Sequence, residues 1–270
     1  MVRRPPLVAL SLSFATASAL TAAGAAHAEE REAPRTAVAQ QALALGTALG
    51  VRAVREDSIV PRASTGPSLH VLGRFLGTYR SVVVDAGLRF GFAALFDRDG
   101  HPAAAISHGL RLAALPIVKS DADRWSLAVG PTLVWSTDAV WFAKWDDAHA
   151  YWLGRRWLGP GARAWRSLSS GWRMDLSGEL SLVGLESRPP AYRTNKQDAL
   201  THLSYYFADV NRSAEAGWLL DWQAVRVALD LHRSRGDRGT TVPSGFGLGV
   251  EARFDHTERP AAAYLFETTL

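Results

Sequence analysis

Hydrophobic and polar residues alternate along much of the chain. Between residues 82 and 96, apolar residues occupy the even positions, whereas Asp85, Arg89 and several small residues occupy the odd positions. A period of two residues is typical of β-strands with two different faces. The same pattern recurs in segments 125–135, 172–182, 225–232 and 246–254, and more weakly near 41–54, 68–78, 104–116, 161–169 and 213–221. The alternation predicts an all-β fold.

The number of strands depends on two segments, 199–208 and 261–270. If both are strands, the count is about twelve, residues 209–212 form a periplasmic turn, and this count is preferred. The alternative is about ten strands, with residues 256–270 as a tail. In that alternative, tight periplasmic turns lie at 169–171 and 221–222, and external loops are 55–67, 97–103, 137–158, 186–212 and 233–244. Either count fits a single antiparallel barrel.

The first 28 residues have the features of a secretory signal peptide. Arg3 and Arg4 precede an apolar run from Leu7 to Leu20, and small residues lead to Ala28. A basic start, a short apolar segment and a small-residue cleavage site are the three parts of such a peptide. We therefore expect cleavage after Ala28 and a mature domain of residues 29–270 in an exported protein.

Composition excludes several classes of function. The chain contains no cysteine, which removes disulfides, thiolate metal sites and a catalytic thiol. The net charge is +4, and the arginines are scattered among acidic residues rather than gathered in a basic stripe with aromatic residues. We therefore expect no nucleic acid partner, no cofactor and no metal.

Three further features accompany the alternation. Tryptophan and tyrosine lie near the ends of the apolar faces, and small or ionic residues occupy the opposite faces. The last predicted strand contains Tyr264, Phe266 and Leu270. The chain resembles bacterial outer-membrane β-barrel proteins as a broad class. This resemblance implies a transmembrane barrel in the outer membrane that contacts lipids and lipopolysaccharide and is inserted by the barrel-assembly machinery. The oligomeric state stays open.

The polar faces of the strong segments supply the predicted lining of the barrel lumen. Charges of both signs lie close together in the sequence, so they either pair and block the interior or line a pore for small solutes. The predicted lumen residues are Asp85, Arg89, Arg173, Asp175, Glu179, Arg226, Asp230, Glu251 and Arg253.

The sequence Leu231-His232-Arg233-Ser234 carries the candidate catalytic pair. His232 and Ser234 are two residues apart and face the same way on a strand. They resemble the His-x-Ser element of outer-membrane lipid A deacylases and outer-membrane phospholipase A, which implies His232 as base and Ser234 as nucleophile. The alternative is a polar strand end, because His232 shares its parity with Arg226 and Asp230.

The segment 141–157 combines aromatic residues with charges. Asp146, Asp147 and His149 could hold a cation, and Arg155 and Arg156 could bind lipopolysaccharide phosphates. An external loop capped by interfacial aromatic residues is the preferred interpretation.

Three functions are compatible with these patterns. The first is a non-enzymatic outer-membrane barrel, either structural or a small-solute pore. The second is a lipid esterase that uses His232 and Ser234. The third is a soluble periplasmic barrel that binds an apolar ligand, which would require the apolar face to point inward.

Overall fold

A computed structural model describes residues 41–56, 60–120, 125–142, 149–168, 171–187, 214–218, 222–235, 244–257 and 263–269. The predicted signal peptide, segment 199–208 and Leu270 lie outside these residues. Twelve strands are described: β1 (Gln41–Glu56), β2 (Val60–Tyr79), β3 (Val82–Phe96), β4 (Pro102–Lys119), β5 (Ser126–Phe142), β6 (His149–Ser167), β7 (Trp172–Leu180), β8 (Val183–Ser187), β9 (Ala214–Trp218), β10 (Trp222–Arg235), β11 (Ser244–Thr257) and β12 (Ala263–Thr269).

The prediction of an all-β fold is confirmed. All pairings between the described strands are antiparallel and belong to one sheet. In the part of the chain that the structure describes, no helix has the length and apolar character required to cross a membrane.

Ten of the strands follow one another in a ring. The hydrogen-bonded order is β1-β2-β3-β4-β5-β6-β7-β10-β11-β12, and β12 pairs with β1. Residue 50 on β1 is opposite Thr269, and Phe142 at the end of β5 is opposite His149 at the start of β6. Each strand of this ring therefore has hydrogen-bonded partners on both sides, which satisfies the backbone groups that a sheet edge leaves unpaired.

The short strands β8 and β9 extend β7 and β10. Strand β6 pairs with β7 through residues 161–167 and with β8 through residues 154–158. Strands β9 and β10 are antiparallel to β8 and β7, so β9 and β10 run in the same direction. The tight turn predicted at 221–222 is therefore wrong, since the chain does not reverse between these two strands.

The predicted tail at 256–270 is also wrong, because β11 reaches Thr257 and β12 pairs with both β1 and β11.

The ring has two ends. At the end that we call the turn end, Arg80 and Ser81 connect β2 to β3, and β6 is followed by β7. At the end that we call the loop end, residues 97–101 connect β3 to β4, and β8 ends where β9 begins. Strand β10 ends and β11 begins at the turn end. The predicted external loop 233–244 is therefore opposite the other four predicted loops.

All five predicted loops overlap strands at their edges, and two of them do so extensively. Residues 60–67 of the predicted loop 55–67 belong to β2, and residues 137–142 and 149–158 belong to β5 and β6. Small residues such as Ser64 and Gly66 weaken the hydrophobic signal, although Gly66 pairs in register with Arg52. The strands thus continue beyond the region of large apolar side chains.

Buried apolar side chains form clusters toward the two ends of the ring. Near the loop end, the cluster contains Val54, Ala93, Leu95, Ala103, Ala105, Val140, Phe142 and Leu153. Near the turn end, the cluster contains Val83, Ala113, Leu115 and Ala128, with Leu76, Ile117 and Trp165 packed against it. Charged side chains occupy the space between them.

Candidate functional site

The outward face of the sheet is apolar and exposed. On β3, Leu88, Phe90 and Phe92 are 51–59% exposed, whereas Asp85 and Leu95 on the opposite face are fully buried. This arrangement is the reverse of that in a water-soluble sheet, where the apolar face is the buried one. Other exposed apolar side chains are Leu43, Leu45, Leu49, Leu69, Val71, Leu112, Leu133, Trp135, Leu176, Val227, Leu229, Leu248 and Val250.

Contacts between strands that are not neighbours identify the inward face. Arg52 of β1 donates from Nη2 to Oδ1 of Asp138 on β5 at 2.6 Å. Arg74 of β2 donates from Nη1 to Oδ2 of Asp230 on β10 at 2.8 Å. These strands are separated by other strands in the sheet, so the contacts cross the interior of the ring.

The structure places all nine predicted lumen residues among these interior ion pairs. Asp85, Asp175 and Glu179 are buried, and the remaining six are partly buried. The ion pairs join them to one another or to charged residues that the sequence analysis did not select. Residues that the sequence analysis missed are Arg52, Arg74, Arg111, Asp138, Arg163 and Glu267.

Most of the interior charges belong to one set that we call the balanced network. It contains the arginines Arg74, Arg89, Arg111, Arg163, Arg173 and Arg226 and the carboxylates Asp85, Asp175, Glu179, Asp230, Glu251 and Glu267. Six positive charges thus face six negative charges. Because an unpaired buried charge is costly, this equality stabilises a charged interior.

Asp85 lies where three arginines of this network meet. Its Oδ2 is 2.7 Å from Nη2 of Arg74, 3.0 Å from Nη1 of Arg111 and 3.1 Å from Nη1 of Arg163. Arg163 also binds Asp175 at 2.8 Å. These side chains come from β2, β3, β4, β6 and β7, so the contacts tie one half of the ring together.

Arg89 and Glu251 extend the network across the ring. Nη1 of Arg89 is 2.6 Å from Oε1 of Glu251, and Nη2 of Arg89 is 2.6 Å from Oε2 of Glu267. Glu251 also binds Arg226 at 2.6 Å, and His70 lies 2.8 Å from the other oxygen of Glu267. The long side chains therefore fill the middle of the ring.

A second set, which we call the arginine cluster, lies nearer the loop end. Arg52, Arg155 and Arg253 all approach Asp138, at 2.6, 3.0 and 3.2 Å. Arg253 also donates to Oγ of Ser136 at 3.3 Å. Asp138 is thus shared by three guanidinium groups, as Asp85 is in the balanced network.

His232 points into the same interior. Its Nδ1 is 3.4 Å from Oδ2 of Asp175, which also binds Arg163 and Arg173. The backbone of Ser234 lies in β10 opposite Gly245, but its side chain is outside the description. The contact of a predicted catalytic pair therefore stays a prediction.

Arg155 and Arg156 lie in the segment 137–158 that was predicted as an external loop. Both residues belong to β6 and face opposite sides, with Arg155 in the arginine cluster. The guanidinium carbon of Arg156 lies 4.8 Å from the ring centroid of Trp135, which is exposed on the outer face. The two arginines thus do not form one phosphate site. Asp146 and Asp147 lie outside the described residues.

Asp97, Asp99 and His101 form a compact group in the β3–β4 connection. Ligand atoms of the three side chains lie within 4.8 Å of one another. Oδ1 of Asp97 accepts the backbone N–H groups of Asp99 and His101, each at 2.9 Å, and Gly100 has φ of 81°. Burial raises the pKa of Asp97, but these hydrogen bonds and the neighbouring His101 outweigh it and hold the pKa at about 2. These hydrogen bonds explain the close approach of the three side chains as part of a turn.

No protein-family model matches the chain, and no curated protein matches it. The class is therefore defined by the fold and its two faces. The protein is an all-β chain whose antiparallel strands carry an apolar outer face and a charged, ion-paired interior.

Proposed function

We propose that this chain is an outer-membrane protein whose ring of strands is a transmembrane barrel with a closed interior. It acts as a membrane-embedded scaffold and not as an open pore. The observation that carries the proposal is the reversed polarity of the sheet, with large apolar side chains exposed outside and charges buried inside. Lipid is the environment in which that outer face is stable, and paired strands leave no backbone group exposed to it.

The height of the apolar face supports this proposal. On β3, the twelve residue steps from Val84 to Phe96 span about 40 Å along the strand and, at a tilt near 40°, about 30 Å along the ring axis. That height is comparable to the apolar band of about 25 Å in outer-membrane barrels. The soluble alternative with an apolar ligand inside is less well supported, because charges fill the middle of the ring.

The balanced network supports a closed interior. Arg89 reaches from β3 to Glu251 on β11 and Glu267 on β12, and Arg74 reaches from β2 to Asp230 on β10. A barrel of this size lies between small barrels filled by side chains and large ones with an aqueous channel. Cross-ring ion pairs between two apolar clusters favour the filled type.

The experiment has two arms. We expect the chain in outer-membrane fractions, with a gel mobility in detergent that changes on boiling, and no steady conductance in planar bilayers. The variant Arg89→Ser/Arg226→Ser/Glu251→Ser removes three long interior side chains and should produce conductance. A soluble protein without a heat-dependent mobility would contradict the membrane location, whereas steady conductance of the unmodified chain would contradict only the closed interior.

A second candidate is a lipid esterase, favoured by the approach of His232 to Asp175. A carboxylate beside a histidine can orient the ring as a general base for a serine two residues along the strand. The Ser234→Ala variant would then lose phospholipid or lipid A ester hydrolysis while keeping its heat-dependent mobility. Equal hydrolysis by the variant and the unmodified chain, or none by either, would exclude this function.

A further inference from the structure

We infer that the turn end of the ring carries a binding site for the headgroup of an anionic phospholipid, formed on the outward face by Arg166, Trp172 and Arg233. The inference rests on the proposed function, because it requires lipid around the ring, and it adds the class of lipid that this end selects. Two observations carry it: the arginines lie on either side of one aromatic residue, and neither has a carboxylate partner among the described residues.

Strand order and register bring the three side chains together. Arg233 on β10 is directly opposite Trp172 on β7, and Arg166 on β6 is opposite Met174, two residues further along β7. Each of them shares the parity of the exposed outward residues of its own strand, which are Leu158 on β6, Leu176 on β7 and Leu229 on β10. Neighbouring strands are about 5 Å apart, so the two arginines reach the surface above Trp172 from opposite sides.

The donors of these two arginines are not used within the described part of the chain. Arg166 and Arg233 are exposed and contact no carboxylate there, and the guanidinium carbon of Arg233 lies 6.0 Å from the ring centroid of Trp172. The arginines of the balanced network and of the arginine cluster, in contrast, all bind carboxylates. At the loop end, the exposed Arg98 lies 3.8 Å from Asp99. The two outward arginines of the turn end can therefore donate to a ligand from outside the ring.

Positive charge predominates at the turn end as a whole. Arg80 and Lys119 are also exposed there, and neither contacts a carboxylate among the described residues. The stretches 29–40, 121–124 and 235–243 adjoin this end in sequence, and their side chains lie outside the description. They contain five basic and six acidic residues. Because the four described cations are added to this nearly even count, an excess of positive charge is kept.

The position of the site at the border of the apolar face indicates a lipid headgroup. On β10, the outward residues Val225, Val227, Leu229 and Leu231 are 36–48% exposed, and Arg233 is the next outward residue. A lipid whose tails lie along this apolar run therefore brings its phosphate to the arginines. The planar fork of a guanidinium matches two phosphate oxygens. A headgroup with net negative charge, such as phosphatidylglycerol, fits better than a zwitterionic one, whose ammonium group the arginines repel.

The test places a fluorophore beside the site and measures which lipid is its neighbour. Leu168→Cys gives the chain one cysteine next to Trp172, because the backbone N–H of Leu168 donates to the carbonyl of Trp172 at 2.7 Å. The labelled full chain is reconstituted in vesicles of phosphatidylcholine and phosphatidylglycerol, with bromine on the tails of one lipid or of the other. We expect brominated phosphatidylglycerol to quench as if it were enriched about fivefold, which corresponds to the attraction of one basic residue to an anionic membrane surface.

The double variant Arg166→Gln/Arg233→Gln should remove this enrichment. Arg80→Gln/Lys119→Gln is the matched control, because it removes the same charge from the same end and leaves the three site residues in place. The enrichment should persist in the control. Loss of the enrichment in both double variants would overturn the inference, since diffuse positive charge would then be sufficient.

Two further outcomes would also overturn the inference, and both are read on the labelled chain without other substitutions. Equal quenching by the two lipids would show that this end does not select an anionic headgroup. Displacement of phosphatidylglycerol by inorganic phosphate at equal ionic strength would identify a free anion as the ligand. These results leave the proposed function intact, because the label is still quenched by lipid. Quenching by neither lipid would instead contradict the proposed membrane location itself.

Discussion

Phe90 and Asp85 lie on the same strand, yet their surroundings differ completely. Phe90 is 59% exposed among other apolar side chains, whereas Asp85 is fully buried among three arginines. Under the proposed function, surrounding lipid stabilises the outward face, whereas ion pairs within the ring stabilise the inward face. Substitutions on the two faces should therefore destabilise the folded chain for different reasons, and their costs should depend differently on whether lipid or water surrounds the ring.

The largest effect is expected from breaking the balanced network at its centre. Asp85→Ala removes the carboxylate shared by Arg74, Arg111 and Arg163 and leaves buried positive charge unpaired. We expect a loss of about 3–5 kcal/mol in the free energy of unfolding, measured by urea titration in lipid vesicles. The control is Asp230→Ala, which removes a partly exposed carboxylate bound to Arg74 and should cost less. Equal costs would show that Asp85 is not central.

The next largest effect is expected from a charge on the outer face. Phe90→Arg places a charge in the middle of the exposed apolar surface and should cost about 2–4 kcal/mol in vesicles. Phe90→Leu, which keeps an apolar side chain, should cost much less. The arginine penalty should be absent if the ring is surrounded by water, so a variant as stable as the unmodified chain would argue against a lipid-facing surface.

A smaller effect concerns close packing inside the ring. A Cβ at Gly91 would overlap the ring of His70 and Oγ of Ser107. His70 is buried and held by Glu267, so it cannot move freely. Gly91→Ala should cost about 1–3 kcal/mol in urea unfolding. Gly46→Ala is the control, since a Cβ there meets nothing within 4 Å. Equal stability of both variants would contradict the close approach.

The smallest effect concerns the β3–β4 turn. Asp97 has a pKa of about 2, below the ordinary value of 3.8, so its ionised form stabilises the folded chain. This contribution is complete above about pH 4 and is lost as the pH falls through about 2. Asp97→Asn should lower the unfolding midpoint slightly at pH 7, and the difference should disappear below about pH 2. A difference that is independent of pH would contradict this assignment.

Parts of this account could be predicted from sequence because some strands have unambiguous faces. On β3, large apolar residues alternate with Asp85 and Arg89, so the polar face is evident. On β1, Leu43 and Leu45 alternate with Ala42 and Ala44, which blurs the two faces and hid Arg52. Parity opposite to Leu43, Leu45 and Leu49 was the sequence signal that could have identified Arg52 as inward-facing.

The arrangement of the interior could not be predicted in the same way. Arg74 and Asp230 form an ion pair although 156 residues separate them, and that contact depends on the order and register of the whole ring. The direction of β9 relative to β10 also depends on pairing with β7 and β8. A turn signal near residue 221 carries no information about those partners.

The most direct test of the central claim is the environment of the outer face. The chain has no cysteine, so single cysteines at Phe90 and at Arg98, whose side chain is 79% exposed in the β3–β4 connection, can each carry a fluorophore. In lipid vesicles, we predict that brominated lipid tails quench the label at position 90 and that aqueous iodide quenches the label at position 98. Quenching of both labels by iodide and of neither by brominated lipid would contradict the proposed membrane barrel.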